Sequence, residues 1–137
     1  MITVTVNGCF DVLHVAHVRL LQKAKAQGDW LIVLLNSDSS IKRLKGKSRP
    51  INKEQDRKEM LLALRFVDEV VIFYEDTPLK ALELIMPDVH VKGGKFDVKK
   101  TKAEKDLVES WSGEVVFFPR VKGYSSTKVI KKAGLVR

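Results

Sequence analysis

Five short runs of β-branched and apolar residues punctuate this chain, and each is followed by a longer stretch with helical spacing. That alternation is the strongest constraint on the fold. Strands separated by helices pair in parallel through crossover connections, and the helices must then cover both faces of the sheet. Residues 2–6, 30–35, 69–73, 89–92 and 114–118 read as the strands. The run from Trp30 is continuously apolar, as in a strand buried on both faces. Residues 15–27 read as a helix with Val15, Val18, Leu21 and Ala24 along one side, and 37–43 as a short helix. Residues 45–52 form a polar loop. Asn52 is placed to cap a helix over 53–65 with Met60, Leu61 and Leu64 inward. Thr77 caps the next helix, with Pro78 in its first turn, and Leu79, Leu82, Ile85 and Met86 form its inner side up to Pro87. A charged helical stretch runs to about Ser110, and a last helix covers 125–133. The expected architecture is α/β: a Rossmann-like three-layer sandwich with a five-stranded parallel sheet.

At 137 residues the chain has room for one domain, and at 45% hydrophobic it can bury a real core. A single cysteine excludes an internal disulfide framework. No basic stretch leads into a long apolar run, so neither a signal peptide nor a membrane span is expected and the cytoplasm is the default. The net charge of +8 attracts polyanions. The cations gather at residues 42–49, 92–105 and 120–132. Most single lysines in such runs are solvated surface charges, but clusters on turns near glycines suit phosphate. A nucleic-acid module is disfavoured, because helix-turn-helix, zinc-finger and RNP-type patterns are missing.

Ligands of such sheets bind beyond the carboxyl ends of the strands, where the strand order reverses. At the first of these ends stands Asn7-Gly8-Cys9-Phe10-Asp11, and His14-Val15-Ala16-His17 opens the helix behind it. Gly8 permits a tight turn and close approach of a ligand to the backbone. A helix N-terminus offers free N–H groups and positive potential to phosphate. His14 and His17, three apart, project from one side of the first turn, and each ring can donate to a phosphate oxygen. With only His90 and Cys9 as further soft or imidazole ligands, a zinc site is not expected. The last strand end mirrors the first: Arg120, Lys122, Gly123, Tyr124, Ser125, Ser126 and Thr127 bring cations and hydroxyls to a helix start. No Ser-His-Asp or Cys-His arrangement is evident.

The run from Gly8 to His17 resembles the signature G-x-F-D-x-x-H-x-G-H of the cytidylyltransferase-like nucleotidyltransferases, and 120–127 resembles their second signature, R-T-x-G-I-S-T-T. Asn36-Ser37-Asp38, residues 42–46 and 48–52, Glu75-Asp76-Thr77-Pro78 and Val91-Lys92-Gly93-Gly94 look most like the adenylyltransferase domain of bacterial ADP-heptose synthesis. Residues 65–70 also look like glycerol-3-phosphate cytidylyltransferase. Ala16 departs from the family glycine, and Lys95 stands where the heptose branch usually has an acidic residue.

The resemblance implies transfer of a nucleoside monophosphate from ATP, or alternatively CTP, to a phosphorylated sugar or polyol, with Mg²⁺ accompanying the NTP. A homodimer is also implied, because the family is commonly dimeric. His14, His17, Lys45 and Arg120 are the implied catalytic residues, with Lys45 and Lys47 on a mobile loop. Gly8, Cys9, Phe10, Asp11, Lys92, Gly93, Gly123, Tyr124, Ser125, Ser126 and Thr127 would contact the nucleotide. Asp11, Asp38, Lys45 and Lys95 would face the acceptor.

Overall fold

The computed structural model describes residues 1–94, 98–119 and 126–134. Thr3–Gly8 (β1), Trp30–Asn36 (β2), Glu69–Phe73 (β3), Val89–Gly94 (β4) and Glu114–Pro119 (β5) form one sheet in the order β3-β2-β1-β4-β5. Every pairing is parallel. The helices are Val15–Lys25 (α1), Asp38–Lys45 (α2), Glu54–Leu62 (α3), Leu79–Ile85 (α4), Val98–Glu109 (α5) and Ser126–Lys132 (α6). The expected five-stranded, Rossmann-like α/β fold is thus the one observed.

The periodicity of β2 explains the layering. Leu31, Val33 and Leu35 join Leu21 and Ala24 of α1 and Leu61 of α3 in one apolar cluster. Ile32 and Leu34, pointing the other way, join Ala81 and Leu82 of α4 and Val108 of α5 in a second. Each fully buried aliphatic side chain contributes roughly 1.5–3 kcal/mol of transfer free energy. A strand apolar at every position therefore has a partner layer on each side.

Several local expectations are corrected. Met60, Met86 and Val15 are 42%, 54% and 40% exposed rather than inward. On α3 the inward positions belong to Arg57 and Leu61, which turns Met60 outward. Met86 terminates α4 with a left-handed backbone (φ 51°), so it leaves the helical face. Asn52 does not cap α3; Lys53 occupies that position, and the Asn52 amide instead donates to the Asp11 carbonyl at 2.6 Å. Pro78, not Thr77, stands at the N-cap of α4.

The chain steps outward from β1 to β2 to β3, then returns to pair β4 on the other side of β1. This switch point is also the shortest ladder in the sheet. Only Val4, Thr5 and Val6 pair with Val89, His90 and Val91, whereas β1 with β2 and β4 with β5 each pair over six residues. Past Val6 and Val91 the ladder between these strands ends, and a cleft opens.

Candidate functional site

Cys9-Phe10-Asp11 carries the chain from β1 toward α1. Phe10 is buried and has a left-handed backbone (φ 46°). Its ring folds back over Gly8: a Cβ there would lie 2.8 Å from Phe10 Cε2. Gly8 is therefore needed first for the aromatic ring beside it. The same ring lies 5.1 Å from the ring of His17, tilted by 58°.

His14 is the N-cap of α1, with extended backbone, and His17 sits one turn on. Their rings stack at 3.8 Å and 23°. The His14 backbone N–H donates to His17 Nδ1 at 3.3 Å. Burial, with the neighbouring His14 and the charge of Lys45, pushes the His17 pKa down to about 3. His17 is thus neutral at physiological pH. With Nδ1 acting as acceptor, its proton resides on Nε2, which is left as a donor. The pair stands at the N-terminus of an eleven-residue helix, a setting whose free N–H groups suit an anion.

Asp11 faces inward. Its carboxylate accepts from the Ile51 N–H at 2.9 Å, the Asn52 N–H at 3.0 Å and Arg49 Nε at 2.7 Å. Burial alone would raise its pKa, but these donors outweigh it and hold the group below the usual carboxylate range. Arg49, itself buried, also donates through Nη1 to Thr127 Oγ1 at 3.3 Å. One guanidinium thereby links the two sequence signatures. Beside the nucleotide and acceptor contacts expected of it, Asp11 thus has a structural role. The anticipated mobile loop is anchored at residues 49–52, and Lys45 belongs to the end of α2 rather than to that loop. Lys47 lies exposed in the turn that follows.

Asp38 is similarly engaged. It accepts from the Glu54 N–H at 2.9 Å and from Arg57 Nη2 at 2.8 Å. Arg57 is fully buried and donates to the carbonyls of Cys9, Asn36 and Asn52 at 2.9, 2.7 and 2.9 Å. It ties the ends of β1 and β2 to the start of α3. The sequence reading missed it, although Arg57, Leu61 and Leu64 have the i, i+4, i+7 spacing of an inward face. Burial pushes the Cys9 thiol up, against the opposing charges of Lys45, Arg57 and Arg49, which argues against a thiolate nucleophile.

Beside this assembly, over the β1–β4 switch point, lies a cavity of about 430 Å³. Gly8, Cys9, Lys45, Lys92 and Gly93, all named from the sequence, line it. Asn7, Asn36 and Thr77, at the carboxyl ends of strands, line it too, as do Thr101 and Glu104, which were not foreseen. Lys45 connects cavity and histidines, because its charge also acts on His17. At Gly93 a Cβ would lie 2.6 Å from Leu20, so glycine there lets α1 pack closely on β4. Lys95, Arg120, Gly123, Tyr124 and Ser125 lie outside the described residues, while Ser126 begins α6 and Thr127 follows it. Among the described residues no group of three or more His, Cys, Asp or Glu side chains could hold a metal ion, and no helix is long and apolar enough to cross a membrane.

Comparison with known proteins agrees with this layout. Residues 5–132 match the family model described as Cytidylyltransferase-like. The bifunctional protein HldE of Syntrophotalea carbinolica is 52% identical over 126 residues, which cover 92% of this chain but only 26% of that protein. The same-named protein of Koribacter versatilis is 50% identical over 129 residues, again 26% of its length. The chain thus spans about a quarter of these curated relatives. Among solved structures, the lipopolysaccharide core biosynthesis protein from Thermoplasma volcanium GSS1 superposes with a TM-score of 0.71 at 30% identity, covering 91% of this chain and 99% of that one.

Proposed function

The chain belongs to the cytidylyltransferase-like family, and from that premise we propose that it is a nucleotidyltransferase acting on a phosphorylated sugar. It joins the nucleoside monophosphate of an NTP to the acceptor phosphate and releases pyrophosphate. ATP and a sugar 1-phosphate of the heptose 1-phosphate type are the favoured pair. The resemblance to the ADP-heptose adenylyltransferase branch and the 52% identity to HldE support that choice. The observation that carries the reaction class is the stacked His14–His17 pair at the start of α1, beside a polar cavity at the switch point.

The chemistry fits these groups. A phosphate monoester has its second pKa near 6, so the acceptor is largely dianionic at neutral pH and needs no general base. Catalysis then consists of alignment and neutralisation of charge at the α-phosphorus. His17, neutral and with Nε2–H as its donor, hydrogen-bonds the triphosphate without proton transfer. His14 extends the same cradle, and Lys45 brings a cation to both sites. Backbone at Cys9 and Phe10 approaches the α-phosphate, and Arg120 with Ser125, Ser126 and Thr127 holds the outer phosphates. Mg²⁺ enters as part of the NTP substrate, bound chiefly by phosphate oxygens and water. The Asp11 carboxylate contributes little to holding it, because both of its oxygens are engaged by protein donors. We further assign residues 1–137 to one domain of a cytoplasmic homodimer, which sedimentation velocity checks as to its oligomeric state.

The test is pyrophosphate release with Mg²⁺, each of ATP, CTP, GTP and UTP, and a panel of heptose 1-phosphate, other sugar 1-phosphates and glycerol 3-phosphate. Release requiring ATP and a sugar 1-phosphate, and abolished in His17→Ala, is the expected result. Release with CTP and glycerol 3-phosphate would favour the second reading, which residues 65–70 support. No release with any pair would sink both.

A further inference from the structure

On the α5 side of the sheet, β1 and β4 present polar residues at alternate positions. Thr5 and Asn7 stand beside His90 and Lys92, although the intervening Val6 and Val91 are fully buried. Polar side chains on a covered sheet face need partners. Here they form one connected chain. Thr5 Oγ1 and His90 Nδ1 lie 2.7 Å apart. His90 Nε2 faces Glu104 Oε2 at 3.5 Å. Glu104 Oε2 lies 2.9 Å from Lys92 Nζ, which also donates to Asn7 Oδ1 at 3.0 Å. The chain begins and ends on β1.

The side chain of Glu104 is 3% exposed and that of Lys92 15%. Removing both charges from water is expensive, and a stability argument alone does not explain the pair, since apolar replacements of buried pairs are often neutral or stabilising. Lys92, Glu104 and Asn7 all line the cavity. An ammonium has three N–H donors. Lys92 Nζ lies 3.0 Å from Asn7 Oδ1, 3.2 Å from Glu104 Oε1 and 2.9 Å from Glu104 Oε2, and one N–H shared between the two carboxylate oxygens leaves another for a ligand. Burial would raise the Glu104 pKa, but His90 and Lys92 outweigh it, so the carboxylate is held ionised. A carboxylate at this end of the cavity would repel a triphosphate. A polyol with one phosphate can instead meet the mixed donors and acceptors of Thr77, Thr101 and Lys45.

Building on the function proposed above, we propose that Glu104 is a positioning residue for the acceptor: through its ion pair it fixes the Lys92 ammonium on the cavity wall, where the remaining N–H meets an oxygen of the phosphorylated polyol. His90 and Thr5 set the carboxylate in turn. Lys92 selects the acceptor and leaves the nucleotide to the histidine side of the site.

The experiment is calorimetric titration of the full chain with MgATP and, separately, with heptose 1-phosphate, other sugar 1-phosphates and glycerol 3-phosphate. Wild type, Glu104→Gln, Lys92→Met and the double variant Lys92→Met/Glu104→Leu are compared, with steady-state kinetics alongside. Acceptor affinity falls at least tenfold in each single variant, and the double variant is no weaker than Lys92→Met. MgATP affinity stays within twofold, and KM for the acceptor rises while kcat changes little. A merely structural pair would instead lower the melting temperature and weaken both ligands together, and that result overturns the proposal. So does acceptor binding at wild-type strength in folded Glu104→Gln or, should that variant not fold, in the uncharged double variant. Lys92-dependent acceptor binding without pyrophosphate release upholds this recognition and removes the transferase reading. Pyrophosphate release that is indifferent to both residues does the reverse. Failure of wild type to bind any acceptor overturns the present proposal.

Discussion

Arg49 Nε lies 2.7 Å from Asp11 Oδ2, with both side chains shut away from solvent. Breaking a buried pair from one side leaves an uncompensated charge and typically costs about 3–5 kcal/mol. Arg49→Ala should lose stability on that scale in urea unfolding, and Arg49→Ala/Asp11→Asn should recover part of it. The single variant should also bind NTP more weakly, because the bond to Thr127 is lost. A loss below about 1 kcal/mol, typical of an exposed pair, would show that the loop at 49–52 is not held this way.

Arg57 satisfies three backbone carbonyls and the Asp38 carboxylate at once. Arg57→Met should lower stability by about 3 kcal/mol or more, since each orphaned buried acceptor costs about 1–3 kcal/mol. Arg57→Lys should rescue little, because a single ammonium cannot reproduce the planar fork. Thermal melts of both variants check this. A lysine variant as stable as wild type would reduce the role of Arg57 to its charge.

The contact between Gly8 and Phe10 makes a third expectation. Gly8→Ala forces the ring to move and should destabilise by about 1–3 kcal/mol, as overpacking does. Gly8→Ala/Phe10→Leu should restore stability but not activity, because the ring that flanks His17 is then missing. If the double variant is fully active, the aromatic contact is dispensable.

His17 makes stability pH-dependent. Its pKa is about 3 in the folded protein against 6.5 for an ordinary histidine. Between those values the unfolded chain binds the extra proton, so stability is present above pH 6.5 and lost as the pH falls toward 3. His90, also depressed by burial, acts in the same direction. Urea melts at pH 6.5, 5.5 and 4.5 should show a declining unfolding free energy. His17→Asn should flatten that decline by at most about 1.4 kcal/mol per pH unit, the limit for one group. An unchanged slope would mean that the ring is charged in the folded state.

The fold was legible because it depends on patterns within single elements. Glu69–Phe73 and the continuous apolar run of β2 needed nothing from outside their own residues. The histidine pair was legible for the same reason, since the N-cap and the residue three further on meet at one helix end. Among the cations around the site, Lys45 and Lys92 were named from the sequence, but the buried Arg49 and Arg57 were not. Arg57 looks like any surface arginine until strand ends from two other segments bring their carbonyls to it. Asp11 resembles a ligand-binding carboxylate, but residues 38 to 41 positions away consume its hydrogen-bonding capacity. Lys92 and Glu104 are twelve apart, and only the crossover from β4 to α5 turns them into a pair.

The three-residue ladder between β1 and β4 has a mechanical consequence. It divides the sheet into two stiff plates, one of three strands and one of two, joined by the fewest backbone bonds. Compliance is concentrated along that single line, and the cavity straddles it. A ligand spanning the cleft bolts the plates together, so the amides of Val6 and Val91 should report occupancy by slower hydrogen exchange, even though neither valine touches the ligand.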